Sequence, residues 1–200
     1  MKNINRRSFI QRSAIAAAGI AVSSQFSSIA SAAAKPKGMQ FGLVTYQWGK
    51  AFDLPSLIEV CEKAGLGGVE TRTEHKHGVE PSLSKAERKE VKKRFADSPV
   101  TLVGYGSNAQ YHDADADKLA ANIELTKSYI NLMHDCGASG VKVKPNGFPK
   151  DVSREKTIEQ IGKSLNKVAQ YGADLGQEIR VEVHGKGTSD IEVMKAIFEV

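Results

Sequence analysis

The 200-residue sequence predicts an α/β fold of the (β/α)8 TIM-barrel class, with about five βα units between residues 40 and 200. Two observations predict it. From Gln40 onward one theme repeats, a short apolar strand, a loop and an amphipathic helix. Successive units of this kind, joined by right-handed crossovers, imply a parallel sheet. The second observation separates a barrel from an open doubly wound sheet, whose strands are covered by helices on both faces and are apolar on both sides. Here three strands alternate: Val69 and Thr71 against Glu70 and Arg72, Val141 and Val143 against Lys142 and Lys144, Val181 and Val183 against Arg180, Glu182 and His184. A barrel interior accommodates such charge, because neighbouring strands pair their side chains there and the upper layer opens to a site. Eight units of roughly 30 residues make a full barrel. The expectation is therefore a chain truncated after five units, or a partial barrel that needs a partner.

Residues 1–34 read as an export signal. Asn5-Arg6-Arg7-Ser8-Phe9-Ile10-Gln11 resembles the twin-arginine pattern, and an Ala/Ile/Val-rich run from Ala14 to Val22 follows. Ala30-Ser31-Ala32 or Ala32-Ala33-Ala34 then offers Ala-x-Ala cleavage, with residues 35–39 as a linker. The apolar run is too short for a permanent membrane helix. A bacterial protein exported to the periplasm or beyond, without a membrane anchor once the signal is removed, is the expectation. The formal charge of +5 belongs largely to this segment. Lys2, Arg6, Arg7 and Arg12 are four of the 28 basic residues, leaving 24 against 23 acids. A mature chain so near neutrality offers no argument for nucleic acid or an anionic membrane as partner.

Phe41 to Trp48 reads as the first strand. Asp53 ahead of Leu54-Pro55 opens a helix to about Ala64, with Leu57, Ile58, Cys61 and Ala64 on one face. Gly68-Val69-Glu70-Thr71-Arg72 is the second strand, followed by a polar loop from Glu74 to Pro81 and a capping box at Ser84-Lys85-Ala86-Glu87. Val100 to Tyr105 is the third strand, leading into residues 106–117 and a helix over about Lys118 to Cys136 with Leu119, Ile123, Ile130 and Met133 at helical spacing. Gly140 to Pro145 is the fourth, and Ser153 caps a helix ending near Gly176. Ile179 to Gly185 is the fifth, and Ser189-Asp190-Ile191-Glu192 reads as a second capping box opening a helix to Val200. Cys61 and Cys136, in apolar helical contexts, read as buried free thiols. An oxidising compartment would allow a disulfide, but a chain that folds before export does not depend on one.

Active sites of TIM barrels gather at the C-terminal ends of the strands and in the loops after them. That placement selects Tyr46, Gln47 and Trp48, then Arg72, His75 and His77, then Tyr105, Ser107 and His112, then Lys144 and Asn146, then Glu182 and His184. Glu182 either neutralises Lys142, Lys144 or Arg180 inside the barrel, or serves as ligand or acid/base, the preferred reading. His184 is either a core histidine bonded to backbone or a site group. His75 and His77 are either solvated or ligating. Lys144 reads as an ion-pair or substrate hydrogen-bond partner rather than a Schiff-base lysine. Asp113, Asp115, Asp117 and Glu124 have the spacing of part of a calcium loop, but Lys118 stands where that loop needs glycine, so calcium is not expected.

The order of strands, Glu182 at the end of the fifth, and the runs Gly68-Val69-Glu70-Thr71-Arg72, Val141-Lys142-Val143-Lys144-Pro145-Asn146-Gly147 and Arg180-Val181-Glu182-Val183-His184-Gly185 resemble the xylose isomerase-like TIM barrels, grouped as sugar phosphate isomerases/epimerases. The resemblance covers about Met39 to Val200. It implies one divalent metal, Mn²⁺ or Mg²⁺ favoured and Zn²⁺ as the alternative, held by Glu, Asp, His and Glu from strands five to eight. The first position maps onto Glu182, and the other three would lie beyond Val200. The implied chemistry is a metal-dependent isomerisation or epimerisation through an enediolate, in which Glu182 both ligates and moves a proton. By position His184 would orient a substrate hydroxyl, Lys144 would stabilise developing oxyanion charge, and Trp48 would offer a stacking face. Arg72, His75, His77, His112 and Asn146 complete the expected substrate-binding set. An exported enzyme is not expected to meet sugar phosphates, so the expected partner is a small unphosphorylated sugar or keto-sugar, with elimination on keto-sugar glycosides as a variant of the same chemistry. An oligomer is compatible with this reading. Two rivals stand beside it. One is an AP-endonuclease-like zinc hydrolase using His75 or His77, His112 and Glu182, which the near-neutral charge and the extracytoplasmic address argue against. The other is a sugar-binding barrel without catalysis.

Overall fold

The computed structural model describes residues 38–200, so the expected export signal (residues 1–34) and residues 35–37 of the expected linker lie outside the described residues. In chain order the elements are β1 (Gly42–Val44), α1 (Leu54–Lys63), β2 (Gly68–Arg72), α2 (Lys85–Ala96), β3 (Thr101–Gln110), α3 (Ala116–Cys136), β4 (Gly140–Lys144), α4 (Arg154–Ala173), β5 (Glu178–Val181) and α5 (Ile191–Phe198). The strands form one parallel sheet in the order β1-β2-β3-β4-β5. This is the partial TIM-barrel architecture that the alternating pattern predicts.

Short polar side chains set the helix starts by satisfying N–H groups that have no partner within the helix. Asp53 accepts from the Ser56 N–H at 3.0 Å, Ser153 from Lys156 at 3.3 Å, and Ser84 and Glu87 form the expected capping box. Asp115 caps α3 through the N–H groups of Asp117 and Lys118, which commits one acid of the calcium-like spacing to the helix start. The second capping box does not form. The N-cap of α5 is Asp190, one residue after Ser189, which puts Val193 rather than Glu192 at the third helical position; Asp190 makes no side-chain cap hydrogen bond, and Glu192 accepts from Lys195 one turn on, at 3.0 Å.

Strand ends also differ from the sequence reading. The first strand is shorter than expected, since the Thr45 hydroxyl accepts the Arg72 N–H at 2.9 Å and the chain bends from Tyr46 onward. The third runs five residues past Tyr105, to Gln110. The fifth stops at Val181, with a last bond from the Glu182 N–H to the Val143 carbonyl at 2.9 Å. Pro145 lacks the N–H that would continue the ladder. Val183, expected on the apolar side, is consequently 60% exposed.

The sheet has two unlike faces because successive side chains alternate. Val69, Leu102, Tyr105, Val141 and Val143 join Leu57, Cys61, Phe95, Ile130, Met133, Ile161 and Val168 of the helices in one buried cluster. Both cysteines are free and buried there. The opposite face carries Glu70, Arg72, Lys142, Lys144, Arg180 and Glu182. Gly104 and Gly106 of β3 make room for them: a Cβ on Gly104 would meet Arg180 Nη1 at 2.7 Å, and one on Gly106 would meet Glu70 Oε1 at 2.6 Å. No helix among the described residues is long and apolar enough to cross a membrane.

Candidate active site

The charged face converges at the C-terminal ends of β2 to β5. Lys142, 9% exposed, donates from Nζ to Glu182 Oε2 in a close ion pair. Glu182 Oε1 accepts no hydrogen bond from the described residues. Partial burial alone would raise the Glu182 carboxyl, but the hydrogen bond and charge of Lys142, with Lys144 and His184, outweigh it and hold the group below the ordinary carboxylate value. Glu70, deeper on the same face, is raised by burial despite the charges of Lys142, Arg180 and Arg72.

Above this pair, Asn108 of β3 joins β2 to β4. Its Oδ1 accepts from Arg72 Nη2 at 2.8 Å and from Lys144 Nζ at 3.3 Å. The Arg72 guanidinium lies 4.8 Å over the Tyr46 ring. Burial lowers Lys144, and the neighbouring cations Lys142 and Arg72 lower it further. Next to β4, Asn146 is held at φ 63, donates from Nδ2 to Gln110 Oε1, and accepts at its backbone carbonyl from the buried Thr188 hydroxyl. Gly185 passes against this carbonyl at φ +125, where a Cβ would stand 2.2 Å from the Asn146 oxygen.

The histidines divide. His75 Nδ1 lies 3.0 Å from the Thr45 hydroxyl, and burial with the nearby Arg72 and Lys50 lowers the ring. His77 is a correction to the predicted binding set: it is buried, Nε2 donates to the Arg72 carbonyl at 2.9 Å, and Nδ1 accepts the Val79 N–H at 3.0 Å. Both ring nitrogens are spent on the loop, and burial pushes the imidazole down to about 4. His112 is half-buried, with Nδ1 unpartnered among the described residues. His184 is exposed, which removes the core-histidine alternative. Trp48 is 84% exposed in the loop after β1, and Gln47 beside it is exposed too.

Two further position-based candidates turn to the helix side. Tyr105 stacks on Tyr129 at 4.3 Å and donates to Glu80 at 2.7 Å, while Ser107 donates to the Lys142 carbonyl at 2.7 Å. Sequence reasoning missed Asn108, whose signal was the alternation Gly104-Tyr105-Gly106-Ser107-Asn108, which puts Asn108 on the same face as the two glycines. Thr45 and Thr188, which fix His75 and Asn146, had no sequence signal.

Among the described residues, no group of three or more His, Cys, Asp or Glu side chains is placed to hold a metal ion. The Glu182 carboxylate fits one ligand position. The trio of His75 or His77, His112 and Glu182 needed for a zinc cluster does not assemble.

Comparison with known proteins agrees with this geometry. A family model described as xylose isomerase-like TIM barrel matches residues 58–200. No curated protein matches in sequence. Among solved structures, D-psicose 3-epimerase with D-tagatose from Clostridium cellulolyticum H10 is similar at TM-score 0.65 and 16% identity, over 80% of this chain and 60% of its own. The 3-keto-D-glucoside 4-epimerase from E. coli gives 0.59 and 12%, over 72% and 56%. The IolI protein with a binding zinc atom gives 0.61 and 15%, over 72% and 51%. The chain thus spans between half and three fifths of the length of these structures. With five parallel βα units, a charged inner face and a family match over most of its length, the chain belongs to the xylose isomerase-like TIM barrels.

Proposed function

We propose that this chain supplies a proton-transfer carboxylate of a divalent-metal-dependent sugar isomerase or epimerase, acting outside the cytoplasm on an unphosphorylated sugar or keto-sugar. The observation that carries the proposal is the Glu182 carboxylate, fixed at Oε2 by Lys142 and open at Oε1. A base needs one ionised oxygen within reach of the proton it removes and a support that keeps it ionised. Lys142 is that support. Glu182 Oε1 takes the proton from the carbon next to a carbonyl, the C–H electron pair becomes the C=C bond of an enediolate, and the carbonyl oxygen gains the negative charge. Delivery of a proton to the opposite face of that carbon, which takes a second acid on that side, epimerises; return of the Glu182 proton to the neighbouring carbon, with a proton passing between the two enediolate oxygens, isomerises; and loss of a leaving group with its electron pair eliminates.

Oε1 being kept for the proton, Oε2 is the oxygen of Glu182 that would take one ligand position for Mn²⁺, Mg²⁺ or Zn²⁺, and such an ion, when bound, would supply positive charge to substrate oxygens. Lys144, next to Glu182 in charge, steadies the developing oxyanion. The exposed His184 and Trp48 are available to a hydroxyl and to the face of a sugar ring. The sugar epimerases among similar structures support the reaction class. Elemental analysis after dialysis against Mn²⁺ tests the ligand role: metal is retained by the wild type and lost in Glu182→Gln, and equal retention removes Glu182 from the metal site.

A further inference from the structure

We infer that Arg72, Asn108 and Lys144 form an anion subsite, which takes the carboxylate of an acidic sugar. The inference rests on the isomerase or epimerase reading above and narrows its substrate class.

Arg72 and Lys144 occupy the last positions of β2 and β4 and meet on one neutral acceptor, Asn108 Oδ1, at 2.8 and 3.3 Å. The two cationic nitrogens therefore lie within about 6 Å of each other, close enough for like charges to oppose one another. Neither has an ion pair among the described residues. The carboxylates nearby are committed: Glu182 to Lys142, and Glu178 to Arg180 at 2.9 Å. Half-buried Glu70 is influenced more by Lys142 and Arg180 than by Arg72.

The arrangement is supported rather than incidental. Arg72 stacks over Tyr46, and its backbone N–H is held by Thr45. Its side chain gives one Nη2 bond to Asn108, leaving Nε and Nη1 without acceptors among the described residues. A guanidinium edge matches the two oxygens of a carboxylate, with Lys144 adding a point charge. A sugar hydroxyl satisfies the hydrogen bonds but leaves both charges uncompensated. A carboxylate satisfies both, and it does so in the resting complex, before charge develops at the reacting carbon.

The test compares three ligands of one carbon skeleton, D-fructose, D-fructuronate and D-fructose 6-phosphate, by titration calorimetry on the full chain at low and at moderate salt. Fructuronate is expected to bind at least tenfold tighter than fructose, with an advantage that shrinks as salt rises. Arg72→Gln and Lys144→Gln each remove most of that advantage, read as the ratio of fructuronate to fructose affinity within each variant. Asn108→Asp, close to isosteric, places an acid between the two cations. It keeps the thermal transition and abolishes the fructuronate advantage. Equal affinity for fructose and fructuronate, or an advantage that survives in Asn108→Asp, overturns the subsite. Preference for the phosphate over fructuronate overturns the carboxylate assignment. Loss of proton exchange on every sugar with the fructuronate preference intact would count against the enzyme reading alone, whereas exchange without preference would count against the subsite alone.

Discussion

Lys142 decides how Glu182 behaves. A half-buried carboxylate without a cation beside it rises above its ordinary value, and the ammonium reverses that direction. Replacing Lys142 with Met is therefore expected to move the Glu182 titration upward, followed through its carboxyl carbon by NMR, and to slow proton exchange on a keto-sugar more than tenfold. An unmoved titration would mean that Lys144 and His184 suffice. The folded Glu182 value lies below the unfolded one, so the pair's contribution to stability is present above the ordinary carboxylate range and is lost as pH falls through the folded value. His77 acts in a higher window. Its folded value of about 4 lies below the ordinary 6.5, so the unfolded chain takes up the proton first. Stability should decline between about pH 6.5 and pH 4, by up to about 3 kcal/mol from this group. Urea unfolding across that range reads the decline, and His77→Gln should remove the His77 share of the slope while lowering stability at pH 7.

The elements explain which parts of the fold were legible in the sequence. β2 was read to its boundaries because Gly68 to Arg72 alternates cleanly between apolar and charged, and α2 because Ser84 and Glu87 form a local cap that needs no distant partner. β3 was read too short because Gly104 and Gly106 look like a strand end. Their role emerges only when Arg180 and Glu70 arrive from neighbouring strands. The end of β5 depends on Pro145 in the adjacent strand, a nonlocal cause. Asp190 illustrates the limit of a local motif, since α5 starts one residue later than Ser189 implies and leaves Val193 where the box needs an acid. Ser84→Ala should then cost about 1 kcal/mol, and Asp190→Ala should cost less than half of that, both measured by chemical denaturation. Gly104→Ala brings a Cβ to 2.5 Å from the Gly140 carbonyl oxygen, which cannot move without opening the sheet. A loss of about 1–3 kcal/mol is expected, and a neutral result would show that β3 and β4 shift apart easily.

At the scale of the whole molecule, the two faces of the sheet differ in kind. The helix-covered face is apolar and closed, while the other gathers cations and carboxylates at the ends of β2 to β5. Fold class was legible because this division is written as a period-two pattern in three strands. The candidate site was legible only in placement: position along a strand put Glu182, Lys144 and Arg72 together on the charged face, but the direction of Tyr105 and Ser107 and the engagement of His77 required the packed structure. The central claim, that Glu182 moves a proton at a carbon next to a sugar carbonyl, is tested most directly by incubating the full chain with Mn²⁺ and a keto-sugar in deuterium oxide and following that carbon by NMR. The account predicts deuterium at that carbon with the wild type and none above background with Glu182→Gln. Wild-type incorporation by the Glu182→Gln protein, or turnover without any incorporation, would contradict it.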